Sequence, residues 1–389
     1  MTLDDVLAAL VPWPEDGSHA DGPVAVDATD RLLLDEARDL LGRTPDVVVI
    51  GDRFGALTLG AIALGAERVR VHTDAVTAER ALAVNAERCG LTDRVEVHAT
   101  LDAGLLTGAR LVLLQLPTSL AELSEIAELV SRAAADDVVV LGGGRVKHMT
   151  RSMNDVLAAE LIDVRATLAR QKSRVLVASG VRPDRRDAPR SSPAHRRLTE
   201  AELVAAAGVP GVEVVARGGV FAGDRLDLGT RFLLQHADRW PRAAAVRDAV
   251  DLGSGSGLLA ATLALRYPEA AVVATDRSAA ATASTTATAE ANGVGERVTV
   301  VRDDAGDSLP DASADLVLCN PPFHDRASVR SDAAHRMFAT AGRVLRPGGE
   351  LWTVFNTPAR YRNALTRAVG PTELVGQNPK FTVTRSRRP

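Results

Sequence analysis

One stretch decides the fold class of this chain: Leu316-Val317-Leu318-Cys319-Asn320-Pro321-Pro322-Phe323-His324. Its four leading apolar residues are typical of a strand buried inside a parallel sheet. Two consecutive prolines end such a strand, because they donate no backbone hydrogen bond and fix φ. Asn320 is therefore predicted at the carboxyl end of a central strand, the edge at which open α/β sheets bind their ligands. The stiffened loop then displays Phe323 beside the amide.

Strands and helices alternate on both sides of a break at residues 180–197. The predicted strands are 47–50, 69–72, 95–97, 111–114, 138–141, 245–251, 271–275, 298–301, 316–319, 351–355 and 381–384. The predicted helices are 30–41, 56–64, 76–88, 120–133, 229–236, 258–266, 279–291 and 332–345. This alternation predicts doubly wound α/β domains, with helices on both faces of a parallel sheet. Residues 1–29 are predicted as an irregular lead-in.

The composition excludes several classes of protein. With 389 residues the chain is long enough for two or three domains. A net charge of −4 excludes a general polycation, so a nucleic-acid surface would have to be a local basic patch. The two distant cysteines and the unpaired histidines predict a cytoplasmic protein without a bound metal. The acidic start predicts that the chain carries no signal peptide, and the lack of a long apolar run predicts that it has no membrane span.

The two halves of the chain are similar, which predicts a duplicated domain. The corresponding segments are 51–55 with 253–257, 71–95 with 274–298, and 111–118 with 316–323. In the second pair Asp74 is matched to Asp276, which leaves the spacing to the next valine unequal by one residue. We expect domains at 1–180 and 212–389, joined by an Arg/Pro-rich linker at 181–211. Its six arginines predict either a solvated tether or a basic strap that touches a phosphate backbone.

The second half carries a glycine-rich turn between a predicted strand and a helix: Asp251-Leu252-Gly253-Ser254-Gly255-Ser256-Gly257. Glycines let the backbone turn tightly and approach a ligand, next to the free N–H groups of the helix. A nicotinamide-binding turn needs Gly-x-Gly-x-x-Gly, whereas here the third glycine comes one residue early. The carboxylate of Asp251 would repel a pyrophosphate. It suits a cationic, amine-bearing ligand such as the methionine part of S-adenosylmethionine.

Acidic residues also end the next two predicted strands. Asp276, with Arg277 beside it, lies about 20 residues beyond the turn, where an acid accepts hydrogen bonds from both ribose hydroxyls. Asp304 follows the third strand at the expected adenine position; alternatively, Asp303, Asp304 and Asp307 form a solvated acidic loop. The predicted cofactor site consists of Asp251, Gly253, Ser254, Gly255, Gly257, Asp276, Arg277, Asp304 and Asn320.

This order of motifs resembles that of S-adenosylmethionine-dependent methyltransferases acting on exocyclic or amide nitrogens. Segments 219–221, 226–231 and 318–324 are similar to those of bacterial ribosomal RNA guanine-N2 methyltransferases with tandem domains, a family that includes the small-subunit methyltransferase C. The first half, at 51–57 and 116–120, resembles the large-subunit member, methyltransferase G, best. The resemblance covers nearly the whole chain. It implies two tandem Rossmann-like methyltransferase domains, the first degenerate, and ribosomal RNA or a ribosomal subunit as partner.

The reaction explains the residue types at the proline stretch. An amine on an aromatic ring is a poor nucleophile, because its lone pair is conjugated into the ring. The side-chain oxygen of Asn320 and the carbonyl of Pro321 can accept hydrogen bonds from the two N–H groups, which stabilises positive charge developing on nitrogen. Phe323 offers a stacking face to a base pulled out of its helix. The predicted catalytic residues are therefore Asn320, Pro321 and Phe323.

The first half departs from this pattern at each position. Val49 replaces Asp251, residues 52–54 replace the middle of the glycine turn, and Gln115-Leu116-Pro117-Thr118 replaces residues 320–323. This half is therefore predicted to bind no S-adenosylmethionine and to serve as a scaffold or an RNA-recognition surface.

The leading hypothesis is methyl transfer to N2 of a guanine in ribosomal RNA by a monomeric enzyme. Three alternatives remain: methylation of a glutamine amide in a protein, methylation of adenine N6, and a noncatalytic RNA-binding assembly factor. The first would carry tyrosine in place of Phe323 and a helical domain in place of the first half. The intact Asp251 and Asn320 argue against the last.

Overall fold

The computed structural model describes residues 1–13, 24–203, 207–322 and 327–389, with the side chains of 327–332 excepted. The chain divides into two compact units, Met1–Ser192 (unit 1) and Pro193–Pro389 (unit 2). Each unit holds a seven-stranded, mostly parallel sheet covered by helices, and the two strand orders are equivalent. The predicted fold of two tandem Rossmann-like α/β domains is confirmed.

Unit 1 contains seven helices and seven strands among the residues that the structure describes. The helices are α1 Leu3–Ala9, α2 Ala28–Leu41, α3 Ala56–Ala63, α4 Val76–Arg88, α5 Ala103–Leu106, α6 Leu120–Ala133 and α7 Arg151–Glu160. The strands are β1 Val47–Ile50, β2 Val69–His72, β3 Val95–Val97, β4 Leu111–Gln115, β5 Val139–Arg145, β6 Leu161–Ala166 and β7 Ser173–Val181. They lie in the order β3-β2-β1-β4-β5-β7-β6, and β7 is antiparallel to both of its neighbours.

Unit 2 repeats this sheet after a two-stranded hairpin. The hairpin strands are β8 Ala194–Thr199 and β9 Gly211–Ala216. The sheet strands are β10 Asp248–Leu252, β11 Ala271–Asp276, β12 Val298–Arg302, β13 Ala314–Cys319, β14 Leu345–Asn356, β15 Thr372–Gln377 and β16 Phe381–Arg387. The helices are α8 Glu200–Leu203, α9 Leu228–Leu234, α10 Leu258–Arg266, α11 Ala279–Ala291, α12 Ala327–Val344 and α13 Arg362–Ala368. The order is β12-β11-β10-β13-β14-β16-β15.

Strand β13 is buried on both faces, which is why it is a continuous apolar run in the sequence. Its alternating side chains enter two cores: Leu316 and Leu318 pack on one face of the sheet, and Val317 and Cys319 on the other. Strand β13 pairs with β10, and the chain proceeds outward in opposite directions from these two strands. Their carboxyl ends therefore form the crevice at which doubly wound sheets bind ligands.

The strand register corrects one pairing between the halves. Leu252 pairs with Thr275 in unit 2, and the equivalent Ile50 pairs with His72 in unit 1. The counterpart of Asp276 is therefore Thr73, one residue before the Asp74 that the sequence comparison matched to it. With this pairing the spacing to the next strand is equal in both units, so unit 1 has no carboxylate at that strand tip.

Two other differences have local causes. The lead-in contains α1, which begins with a capping box in which the side chains of Thr2 and Asp5 each bind the other's backbone N–H. The Thr-x-x-Asp spacing was a readable signal for this helix. Strand β14 begins before the predicted strand 351–355 and contains an irregularity, since Ala314 pairs with Leu345 but Leu316 pairs with Glu350.

Residues 181–211, predicted as a linker, hold β8 and α8. Strand β9, which pairs with β8, is bonded on its other side to side chains of one helix face. The N–H of Val215 donates to Thr288 Oγ1 at 3.0 Å, and the N–H of Arg217 donates to Ser284 Oγ at 3.0 Å.

Among the described residues, no helix combines the length and the apolar character that crossing a membrane requires.

Candidate active site

The glycine turn joins β10 to α10 with three left-handed residues. Gly253, Gly255 and Gly257 have φ values of 83°, 54° and 80°, which only glycine adopts without strain. A Cβ atom on Gly257 would lie 2.6 Å from the Cα atom of Thr285 in α11, so the turn packs directly on that helix. A Cβ atom on Gly255 would meet nothing within 4 Å. The turn is therefore tight against the protein on one side and open at Gly255.

We expect Gly257→Ala to destabilise the protein more than Gly255→Ala. Both variants place alanine at positive φ, which costs about 1–2 kcal/mol. Only the first also drives a methyl group into the backbone of α11, which adds about 1–3 kcal/mol. Urea unfolding of the two variants beside the wild type measures the difference, and equal losses would contradict the packing described for Gly257.

Asp276 holds the open part of the turn. Its Oδ2 atom accepts a hydrogen bond from the N–H of Gly255 at 3.0 Å, and its Oδ1 atom accepts one from the N–H of Ser278 at 3.0 Å. The Oγ atoms of Ser254 and Thr285 lie 2.8 Å apart and fix the turn to α11. Arg277 is exposed next to Asp276. The predicted ribose acid thus also shapes the loop that would hold the rest of the cofactor.

Asp251 is the most unusual ionisable group of this crevice. It has 0 % exposure, and neither carboxylate oxygen has a hydrogen-bond partner among the described residues. Burial raises the pKa of this carboxyl from 3.8 to about 7; the nearby N–H of Ala260, outside hydrogen-bonding geometry, opposes the rise, and the charge of Asp276 adds to it. A buried carboxylate without a partner is costly, so the site favours a cationic or hydrogen-bond-donating ligand.

Asp304 lies at the end of β12 and already has a protein partner. Arg336 of α12 binds it with two hydrogen bonds, Nη1 to Oδ2 at 2.5 Å and Nη2 to Oδ1 at 3.1 Å. Asp303 closes its own loop by accepting hydrogen bonds from the N–H and the hydroxyl of Ser308 at 2.7 and 2.8 Å. The acidic loop is therefore ordered by internal bonds, and a ligand amine at Asp304 must share the carboxylate with Arg336.

Asn320 follows β13, at the strand end that the prolines predict, and its amide is held from one side only. Its Nδ2 atom donates to Thr230 Oγ1 at 2.9 Å and lies 3.5 Å from both carboxylate oxygens of Asp227. Because a carboxylate only accepts hydrogen bonds, Asp227 fixes which end of the amide is nitrogen. The Oδ1 atom of Asn320 is buried and has no hydrogen-bond partner among the described residues. The site therefore presents an oriented acceptor.

Of the loop residues that directly follow Asn320, the structure describes Pro321 and Pro322. Pro321 is buried and Pro322 is exposed, so the loop leaves the sheet immediately after Asn320. Phe323, the predicted stacking residue, lies outside the described residues. Gly229 of α9 also lies close to Asn320. A Cβ atom added at Gly229 would lie 3.4 Å from the ring of the half-buried Phe381, at the start of β16. That same position is 3.6 Å from Asn320 Oδ1, so a side chain at Gly229 would crowd the acceptor.

The residues that orient Asn320 were not predicted from the sequence. Asp227 is the N-cap of α9 and accepts hydrogen bonds from the N–H groups of Gly229 and Thr230 at 2.8 and 3.1 Å. An aspartate directly before an apolar helical run is a recognisable N-cap signal. Its second role, toward an amide 93 residues away in the chain, is visible only in the fold.

In unit 1 the equivalent turn is filled by its own side chain. Asp52, which stands where Ser254 stands in unit 2, is 2 % exposed. Its carboxylate accepts hydrogen bonds from the N–H of Gly55 at 3.0 Å, and from the N–H and the hydroxyl of Thr58 at 2.8 and 2.7 Å. The helix start that would face a ligand is thus capped by the protein itself.

The counterpart of Asn320 in unit 1 is also bonded within the protein. Gln115 Nε2 donates to Oδ1 of the buried Asp30 at 2.5 Å. Arg53, from the filled turn, binds Asp27 with Nη2 and Oδ2 2.6 Å apart. The polar groups of this strand edge therefore bind one another, and Asp30 and Asp52, unlike Asp251, both have hydrogen-bond partners.

S-adenosylmethionine fits the residues of unit 2. The partnerless Asp251 suits its cationic methionine part, Gly255 leaves space for close approach, and Asp276 lies at the strand tip where a ribose is bound. Among the described residues, no three His, Cys, Asp or Glu side chains are grouped to bind a metal ion.

Comparison with protein families matches both units. Residues 9–182 match the model of the RLMG N-terminal domain, and residues 211–385 match the model of the methyltransferase small domain. The chain is 38 % identical to a ribosomal RNA large subunit methyltransferase G of Streptomyces avermitilis, over 97 % of this chain and 96 % of that protein. It is 34 % identical to the enzyme of the same name of Pseudomonas syringae, over 97 % of each.

Among solved structures, the chain is similar to a T. thermophilus 16S rRNA N2 guanine methyltransferase determined in complex with AdoMet and guanosine. The TM-score is 0.76 over 100 % of both chains, at 20 % sequence identity. This likeness establishes the shared two-domain fold.

Proposed function

The chain belongs to the ribosomal RNA large subunit methyltransferase G family, and from this premise we propose that it transfers a methyl group from S-adenosylmethionine to the exocyclic N2 of a guanine in large-subunit ribosomal RNA. The observation that carries the proposal is the oriented, partnerless Oδ1 atom of Asn320. Such an acceptor binds an amine N–H and leaves the nitrogen lone pair free to attack the methyl group of the cofactor. The Pro321 carbonyl is the second acceptor that we propose for the amine.

The residues of unit 2 divide the work between cofactor and substrate. We propose that Asp251, the glycine turn, Asp276 with Arg277, Asp304 and Asn320 hold the cofactor, which supplies an electrophilic methyl group on a sulfonium sulfur. Asn320 stabilises the positive charge that develops on the substrate nitrogen, because its oxygen is already in place before the reaction. The main contribution of the protein is alignment, so no side chain need act as a nucleophile.

We further propose a cytoplasmic monomer whose partner is ribosomal RNA or a ribosomal subunit. Both cysteines, Cys89 and Cys319, are free and buried, which supports a reducing compartment. In this proposal unit 1 is a degenerate copy that contributes RNA recognition and scaffolding, and Phe323 stacks on the flipped base.

The decisive experiment is incubation of the protein with radiolabelled S-adenosylmethionine and, separately, bare large-subunit rRNA, bare small-subunit rRNA, and 50S and 30S particles. We expect label in large-subunit rRNA, mapped to N2 of one guanine by nuclease digestion and mass spectrometry. Label at N6 of an adenine would show that the methylated base is adenine and not guanine. Label in a protein release factor and none in RNA would overturn the proposed function in favour of glutamine methylation.

We expect one cofactor site per chain. Unit 1 lacks a carboxylate at the position of Asp251, and Asp52 fills its turn. Isothermal titration with S-adenosylhomocysteine should therefore give a stoichiometry near one, and Asp251→Ala should abolish the heat of binding. Two sites per chain, or a site that persists in Asp251→Ala, would contradict the assignment of unit 1 as a degenerate copy.

A further inference from the structure

The arginines of the predicted linker are largely engaged by the protein itself. Arg185 donates to Glu160 Oε1 from Nη2 at 2.7 Å and from Nε at 3.0 Å. Arg186 pairs with Asp136 and donates to the carbonyl oxygen of Ala134 at 3.0 Å. These side chains fasten the segment to unit 1, so they are not available as a basic strap for a phosphate backbone.

A different group of basic side chains in unit 1 has no ion pairs within the described part of the chain. We call it the basic surface: Arg145, Lys147, His148, Arg151, Lys172 and Arg174. None of the six has an ion pair with a described residue, whereas Arg170 beside them is paired with Asp35 and Glu36 at 3.4 and 3.2 Å. All but Arg174 are exposed, and the Nε atom of Arg174 is buried without a hydrogen-bond partner among the described residues.

The sheet brings these residues together at the carboxyl end of β5. Arg145 is the last residue of β5 and pairs with Ser173 of β7, while its neighbour Gly144 pairs with Arg174. The N–H of Val146 donates to the carbonyl of Lys172 at 2.9 Å, which fixes the tip of the β6–β7 hairpin beside the segment 145–148. The residues of the basic surface therefore come from two chain segments that meet at one end of the sheet.

The backbone at this hairpin tip is strained. Arg170 and Ser173 exchange two backbone hydrogen bonds of 2.9 Å across the two-residue turn. Its residues, Gln171 and Lys172, have φ values of 49° and 63°. Such turns favour asparagine and glycine, because other side chains are strained at positive φ. Lysine at this position costs stability and places an exposed cation at the tip, which indicates a role outside folding.

Arg151 also stands where folding does not favour a cation. It is the first residue of α7, whose N-cap residue, Thr150, makes no side-chain capping bond. The helix dipole disfavours positive charge at this end. Like Lys172, this arginine is better explained by attraction to a partner than by stabilisation of the fold.

We propose that the basic surface of unit 1 binds the phosphate backbone of a double-helical segment of the substrate RNA; this rests on the proposed function for the identity of the RNA. Several basic side chains without ion pairs, grouped at one end of the sheet, match a polyanion, whose binding releases counterions. The surface carries no Phe, Tyr or Trp residue, so it lacks the large stacking platforms for unpaired bases and the aromatic anchors typical of protein interfaces. A paired backbone is the partner that these side chains suit.

The test compares two variants of equal charge change in the full-length protein. Lys147→Glu/Lys172→Glu alters the basic surface. Arg43→Glu/Arg68→Glu alters two exposed arginines that precede β1 and β2, at the amino edge of the same sheet. We measure the Kd for bare rRNA by filter binding at several salt concentrations, and KM and kcat for methyl transfer.

We expect the surface variant to raise Kd and KM roughly tenfold or more and to reduce the slope of log K against log salt by about 2, while the control variant matches wild type. We expect kcat to stay unchanged in both. Equal behaviour of the two variants overturns the proposal. It is also overturned if the surface variant binds 50S particles more weakly than wild type but binds bare RNA normally, because that would indicate a protein partner. Because filter binding requires no methyl transfer, a failure of the proposed function is seen separately, as the absence of label in wild-type reactions.

Discussion

Asn320→Ala is expected to lower kcat for methyl transfer by about 10²–10³. The Kd for S-adenosylmethionine should rise only slightly, because Asn320 is one of several residues proposed to hold the cofactor. The reason for the lower kcat is that the Oδ1 atom of Asn320, directly after β13, is a buried acceptor without a hydrogen-bond partner among the described residues. Removing it takes away the charge stabilisation that the amine needs only in the transition state. Single-turnover transfer to rRNA and a separate titration with the cofactor measure the two quantities.

Gln115→Ala is the matched control, because Gln115 stands at the equivalent strand end of unit 1. It is bonded to Asp30, so its loss should affect the free energy of unfolding and leave kcat unchanged. Thr230→Val tests the orientation itself. It keeps Asn320 but removes the hydroxyl that holds Nδ2, and an intermediate fall in kcat is expected. Full turnover by Asn320→Ala would show that Asn320 does not bind the reacting amine.

Asp251→Asn is expected to weaken S-adenosylmethionine binding at pH 8 by roughly 30-fold or more, since it removes one partner of a buried charge pair. The wild-type affinity should also depend on pH. The carboxyl has a pKa of about 7 in the free protein, and only its ionised form attracts a cation. Affinity should therefore rise about tenfold per pH unit below pH 7 and level off above it. Asp251→Asn should remove this dependence.

The raised pKa of Asp251 makes the stability of the protein change with pH in the direction opposite to cofactor affinity, so the two effects can be measured separately. The native protein holds a proton on Asp251 that the unfolded chain, with a carboxyl pKa near 3.8, has already released. The free energy of unfolding should therefore fall as pH rises from about 4 to about 7, and Asp251→Asn should lessen that fall. Asp52→Asn is the control: it disturbs the capped turn of unit 1, so stability falls and cofactor affinity does not. An affinity of Asp251→Asn equal to that of wild type would contradict the role of Asp251.

The resemblance to tandem ribosomal RNA methyltransferases is confirmed by membership in the large subunit methyltransferase G family. The predicted role of each site residue remains a prediction that the variants above test. Arg336 is an example of a site residue that could not be predicted from the sequence. Asp304 is recognisable because it ends a strand, but the arginine that binds it comes from α12, which lies beyond the next strand of the sheet.

Features that depend only on residues close together in the chain could be predicted from the sequence. Continuous apolar runs predict buried strands, prolines end them, and glycines mark the turn, so the strand-tip positions of Asp251, Asp276 and Asn320 follow from local chemistry. Which polar groups are left without hydrogen-bond partners could not be predicted in this way, because it depends on contacts between residues far apart in the chain. Thr230 and Asp227 reach Asn320 across 90 and 93 residues of chain, Asp52 turns back onto its own loop, and the register replaces Asp74 by Thr73. Hydrogen-bond satisfaction depends on all neighbours in space, and those neighbours are set by the packing of the sheet.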